Sequence, residues 1–160
     1  MQKIIPHLWF NDQAEEAVNF YTSIFKNSKI LGISHYGDAG SQVSGRPKNS
    51  IMTIRFQLKE REFVALNGGP YFTFSPAISF LVNCNTQEEI DTLWERLSHD
   101  KESEQCGWLK DKFGVSWQIV PLILEEMMSS SNTEKREKAM KALLKMTKLD
   151  IQTLKQAYED

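Results

Sequence analysis

The chain has 160 residues, a formal net charge of −2 and 25% charged residues. These values predict one globular domain and exclude the basic footprint of a nucleic-acid or anionic-membrane binder. No stretch approaches the roughly 20 apolar residues of a membrane span. The opening MQKIIPHLWF has no signal-peptide core or cleavage site, so the expectation is a cytoplasmic protein.

A chain of this size buries about two-thirds of its unfolded surface and needs no disulfide or metal staple. Cys84 and Cys106 lie 22 residues apart. That is neither a CxxC nor a zinc pattern, and both are expected to stay reduced.

In chain order, Ile4 to Phe10 reads as a strand. Asp12 and Glu15 have capping-box spacing, and Ala14, Ala17, Val18, Tyr21, Ile24 and Phe25 then form one apolar helical face, ended by Asn27 and Ser28. Ile30 to Tyr36 is a second strand. The polar segment from Gly37 to Ser50 reads as a mobile loop, either a lid or a plain surface connection. Ile51 to Leu58 alternates cleanly as a third strand. Lys59-Glu60-Arg61 turns the chain into a fourth, Glu62 to Leu66, which Asn67-Gly68-Gly69-Pro70 breaks.

The pattern then recurs. Ala77 to Cys84 is strand-like, Thr86 to Glu89 is a capping box, and Ile90, Leu93, Trp94 and Leu97 form an apolar face. An offset of 73 superimposes this helix on the first. Gln105 to Lys110 and Val115 to Val120 flank a tight Asp111-Lys112-Phe113-Gly114 turn, a hairpin signal, with room for a short strand before them. Each half therefore reads β-α-β-β-β. From Pro121 onward the chain turns helical, with caps expected at Ser131 (boxed with Glu134) and Asp150. The expected organisation is a single domain over 1–160, with a first module at 3–70, a second at 76–121 and a helical extension at 122–160.

A duplicated βαβββ unit resembles the vicinal oxygen chelate superfamily of glyoxalases, extradiol dioxygenases and bleomycin-resistance proteins. The segments Pro6 to Phe10, Ala14 to Tyr21, Leu66 to Pro70 and above all Cys106 to Gln118 are similar to its PhnB-like branch, often labelled demethylubiquinone methyltransferase. The resemblance implies an α+β fold whose mixed sheets curl around a cavity, with helices added at the C-terminus. It also implies homodimers and, in metal-using members, four His, Gln or Glu ligands from the first and last strand of each module. Here those positions fall on His7, on Ala65 or Asn67, on or near Ala77, and on Gln118. His7 is the only plausible metal ligand.

The expectation is therefore a small-molecule binding protein without a cofactor, working as a homodimer with no nucleic-acid or membrane partner. His7, Trp9, Asn67, Ser79, Cys106, Trp108 and Gln118 are the candidate cavity residues, with Phe56, Phe63 and Trp117 as further walls. A metal-dependent lyase or dioxygenase, with a divalent metal, is the alternative. A quinone methyltransferase is a third and weaker reading, because no glycine-rich strand-to-helix turn is present. Catalytic residues are not identifiable from the sequence.

Overall fold

The computed structural model describes residues 3–160. The chain divides into two compact units, Met1–Phe74 and Ser75–Asp160. The boundary falls in the stretch between the two expected modules. The C-terminal helices belong to the second unit and do not form a separate part.

The first unit contains β1 (His7–Phe10), α1 (Ala14–Ile24), β2 (Lys29–His35), α2 (Asp38–Ser44), β3 (Ile51–Leu58) and β4 (Arg61–Asn67). Its four-stranded sheet has the order β1-β4-β3-β2. β1 runs parallel to β4, and the other neighbours are antiparallel. Alternation along β3 puts Ile54, Phe56 and Leu58 on the face that packs under α1, whose Ala17, Val18, Tyr21 and Ile24 are buried. Burying each large side chain of that seam contributes about 1.5–3 kcal/mol. Phe56 stacks between Tyr21 and Phe63. Phe56 and Phe63 are therefore core side chains under the helix, and the expectation that they line a cavity is corrected.

The segment after β2 also differs from expectation. Residues 38–44 form the short helix α2, closed by Gly45 at φ 70°. Ser44 donates to the Gly40 carbonyl, Ser41 donates to the Arg46 carbonyl, and Lys48 pairs with Asp38 at 2.7 Å. Serine-rich composition reads as loop, but here the hydroxyls satisfy backbone acceptors locally.

The second unit contains β5 (Ser79–Cys84), α3 (Gln87–Leu97), a 3-10 turn at Lys101–Ser103, β6 (Trp108–Lys110), β7 (Ser116–Pro121), α4 (Ile123–Ser129), α5 (Thr133–Leu143) and α6 (Ile151–Glu159). Its sheet order is β5-β7-β6, with β5 parallel to β7. This repeats the β1-β4-β3 arrangement of the first unit and lacks the counterpart of β2. The second half is thus β-α-β-β among the described residues, one strand short of expectation. The expected strand from Gln105 starts at Trp108, because Cys106 and Gly107 take φ of 51° and 85°. The outer edge of β6 is satisfied by other means. His99 N–H donates to the Lys110 carbonyl and Gln105 exchanges bonds with Trp108, while ahead of the strand Cys106 and Gly107 N–H donate to the Met146 and Thr147 carbonyls at 2.9 and 2.8 Å.

The two helices of the repeat match in length and lie 73 positions apart, as expected. The strands before them do not keep that offset. Three residues separate β1 from α1 but only two separate β5 from α3. A slip of one residue exchanges the faces of a strand. The structural counterparts of Leu8 and Phe10 are therefore Val82 and Cys84.

The C-terminal helices have a core of Leu124, Met127, Ala139, Leu149 and Leu154, with Met128 and Met146 packed against it. Asp150 caps α6 through Thr153 N–H, as expected. Asn132, not Ser131, caps α5, and Pro121 ends β7 while α4 begins at Ile123.

Candidate functional site

Each sheet has one face under a helix and a second face that the helix of its own unit does not cover. In the first unit, β1 sends Leu8 and Phe10 to the helix side, where they are buried. His7 and Trp9 take the opposite face, in register with Val64 and Leu66 of β4. Arg55 of β3 lies opposite Val64 on that face, and its Nε and Nη2 bind Glu62 Oε1 at 2.9 and 2.5 Å. His7 is exposed.

Trp9 is fixed in place. Its Nε1 donates to the Gly69 carbonyl at 2.9 Å, and its ring meets Phe72 edge-on at 5.0 Å. Gly68 lies directly beneath the ring, leaving no room for a side chain at that position. The Asn67-Gly68-Gly69 turn is thereby tied to the indole.

Asn67 faces the other way. Its Oδ1 accepts the Ala14 N–H at 2.9 Å and its Nδ2 donates to the Ile51 carbonyl at 3.2 Å, while Tyr36 Oη donates to its carbonyl at 2.6 Å. Asn67 thus caps α1 from the neighbouring strand. The Asp12–Glu15 box expected there does not form, since the cap residue is Gln13 and it makes no side-chain bond.

The other four candidates share the second unit. Leu81, Gln118 and Trp108 form a row across β5, β7 and β6. Gln118 Nε2 donates to Ser79 Oγ at 2.9 Å on the same face. Trp108 also lines an open cleft of about 320 Å³ with Ser103, Gln105 and Cys106. Sequence reasoning missed Ser103 and Gln105. The available signal was the three-residue spacing from Gln105 to Trp108, which the structure shows as a bridge across the Cys106-Gly107 turn. Trp117 points to the helix side, where Nε1 donates to Asp111 Oδ2 at 2.9 Å, so it is a core residue and not a cavity wall. Ala77 precedes β5 in a turn.

The donor chemistry does not fit a metal of the kind the superfamily resemblance implies. Among the described residues no group of three or more His, Cys, Asp or Glu side chains could hold a metal ion. On the first sheet His7 has only Glu62 as a carboxylate on its face, and Glu62 is bound to Arg55. On the second sheet Ser79 and Gln118 bond each other.

A model of the family described as 3-demethylubiquinone-9 3-methyltransferase matches residues 2–120. The chain belongs to that family. A PhnB protein of Bacillus cereus, carrying the same methyltransferase description, is 39% identical with a TM-score of 0.62, over 75% of this chain and 99% of its own. A Pseudomonas aeruginosa protein at 22% identity and TM-score 0.57, over 76% of this chain and 98% of its own, shares the fold. No functionally curated protein matches the chain. The family match ends near the close of β7, so α4 to α6 are additional to it.

The family's methyltransferase description implies a nucleotide-like methyl donor, and the features that would cradle one do not fit. The turns before α1 and α3, residues 11–13 and 85–86, contain no glycine, and the turn before the seven-residue α2 has only Gly37. The first amide of α1 is taken by Asn67, and the N-terminus of α3 is capped by Thr86 accepting from Glu89 N–H. No helix among the described residues is long and apolar enough to cross a membrane.

Proposed function

We propose that the protein binds a small organic molecule on the sheet faces turned away from α1 and α3 and holds no metal to do so. The observation that carries this reading is the Leu81–Gln118–Trp108 row, with Ser79 beside it and the Trp108 cleft at its end. It sets an apolar side chain, an aromatic ring and a few orienting hydrogen-bonding groups on one rigid surface, the composition of a small-molecule site. Gln118 keeps an acceptor oxygen and a second amide proton after its bond to Ser79, so it can still orient a ligand. The pinned indole of Trp9 supplies a second fixed aromatic surface in the first unit. Methyl transfer is not part of this reading.

Homodimer formation belongs to the same proposal. Support comes from the exposed apolar side chains Ile30, Leu31 and Ile33 on edge strand β2.

A metabolite library screened by thermal shift tests the reading. At least one compound is expected to raise the melting temperature, and Gln118→Ala is expected to reduce that shift. A library with no stabilising member, or with shifts unaffected by every open-face substitution, would contradict it.

A further inference from the structure

The cleft beside β6 has a composition that specifies its ligand more closely than the family does. Its lining side chains are Ser103, Gln105, Cys106 and Trp108. They offer a hydroxyl, an amide, a thiol and an indole, and none carries a formal charge. Of the charged groups nearest in sequence, Glu102 is exposed and outside the lining, and others are paired. Asp100 pairs with Lys110 at 3.3 Å, and Glu104 binds Lys101 at 2.8 Å and also Ser98.

A charged ligand stacked in this cleft would lose part of its hydration without gaining a counter-ion from the lining, which is unfavourable. A neutral one with donors and acceptors could be matched by the amide and hydroxyl. The indole face favours a flat partner. The cleft is open and its volume is about 320 Å³, which suits a compact ligand.

The cleft is also braced. The Cys106-Gly107 turn that carries the thiol is held by the Met146 and Thr147 carbonyls. A β-carbon at Gly107 would come within 3.0 Å of Leu149 Cδ1 and 3.2 Å of the Ile119 carbonyl. Leu149 is fully buried, and Gln87 fixes the chain just after it, donating to the Leu149 carbonyl at 3.1 Å and accepting from Ile151 N–H at 2.9 Å. The segment that holds the turn comes from the part of the chain outside the family match.

From these observations we infer that the cleft is a subsite for a compact, flat, uncharged molecule with amide-like hydrogen-bonding groups, stacked on Trp108 and walled by a turn that the C-terminal extension holds. This rests on the small-molecule reading above and narrows it to one place and one ligand class.

Three probes of similar shape and different charge test it: benzamide, benzoate and benzamidinium. The readout is alkylation of Cys106 by iodoacetamide, followed by peptide mass spectrometry, with buried Cys84 as the internal reference. Benzamide at millimolar concentration is expected to slow Cys106 alkylation by about twofold, as half-occupancy would, with benzoate and benzamidinium leaving it unchanged. Trp108→Ala should abolish the protection and Trp108→Phe should retain it. If Trp108→Ala does not fold, Gln105→Ala should weaken the protection in its place. Equal protection by all three probes, or by none, overturns the inference. Failure of the wider reading is separately visible. A library compound that stabilises the protein without shielding Cys106 leaves the small-molecule function standing and removes this subsite. A library with no stabilising compound removes the function itself.

Discussion

The indole of Trp9 occupies the space that a side chain at Gly68 would need: a β-carbon there would lie 2.2 Å from Trp9 Cζ2. The neighbouring Gly69 carbonyl accepts the indole N–H at 2.9 Å. One turn therefore both ends β4 and sets the angle of an aromatic ring on the face turned away from α1.

Gly68→Ala should destabilise the protein by about 1–3 kcal/mol, the usual cost of overpacking a filled site. Chemical denaturation measures it. Replacing Trp9 by Leu in the same chain should recover part of the loss, because the clash is with the ring. Equal stability of Gly68→Ala and the parent would show that the ring is not held there.

Asn67→Ala should cost about 1–3 kcal/mol as well, by a different route. It leaves the Ala14 N–H and the Ile51 carbonyl without the side-chain partners they have now, and a buried unsatisfied group bears its full desolvation penalty. Hydrogen exchange should quicken first at the start of α1. Unchanged exchange there would remove Asn67 as the cap of that helix.

Gln87→Ala should loosen the C-terminal segment without unfolding the first unit. The lost bonds are those to the Leu149 carbonyl, the Ile151 N–H and Asp91 Oδ1. Faster exchange at Ile151, together with a changed rate of Cys106 alkylation, is the expected result, because Leu149 packs on Gly107 beside that thiol. Gln87→Glu keeps one acceptor for Ile151 but loses the donor to Leu149 and should be intermediate. A Cys106 rate identical in all three proteins would uncouple the tail from the cleft.

The same contact makes a pH prediction. The hydrogen bond from Lys148, then that from Gln87, holds the Asp91 carboxyl below its ordinary value of 3.8. A carboxyl depressed in the folded state stabilises above its unfolded value, near 4, and loses that contribution as pH falls through the lower native value. Docking of the tail should therefore be unaffected above about pH 5 and weaken below about pH 4. Asp91→Asn should flatten that acid limb. The effect should be small and reduced by salt, since the pair with Lys148 is at the surface. An acid limb of the same steepness in Asp91→Asn would assign it to other carboxylates.

Much of this arrangement was legible in the sequence, for identifiable reasons. α1 and α3 were readable because their apolar spacing is strict, and β3 because Ile51 to Leu58 alternates without interruption. The Asp111 turn was readable because Asp111 Oδ1 accepts from Phe113 and Val115 N–H while Gly114 takes φ 87°. Helix α2 was not legible, because serine and glycine usually mark loops and only local hydroxyl bonds make the difference. The strand register of the repeat was hidden by a single missing loop residue, which reverses which side chains share a face. Asn67 read as a pocket amide because nothing in its neighbourhood of the sequence shows that it reaches Ala14, 53 residues away. Gln105 and Ser103 were missed because the positive φ of Cys106 folds the chain back where its composition suggested a continuous strand.

Binding is expected to occur without a metal. Native mass spectrometry of the protein with a stabilising library compound, recorded before and after treatment with EDTA, tests it most directly. The expected result is a ligand-bound species of unchanged abundance and no stoichiometric zinc, manganese or iron. A ligand that leaves on chelation and returns only with added divalent metal would contradict it.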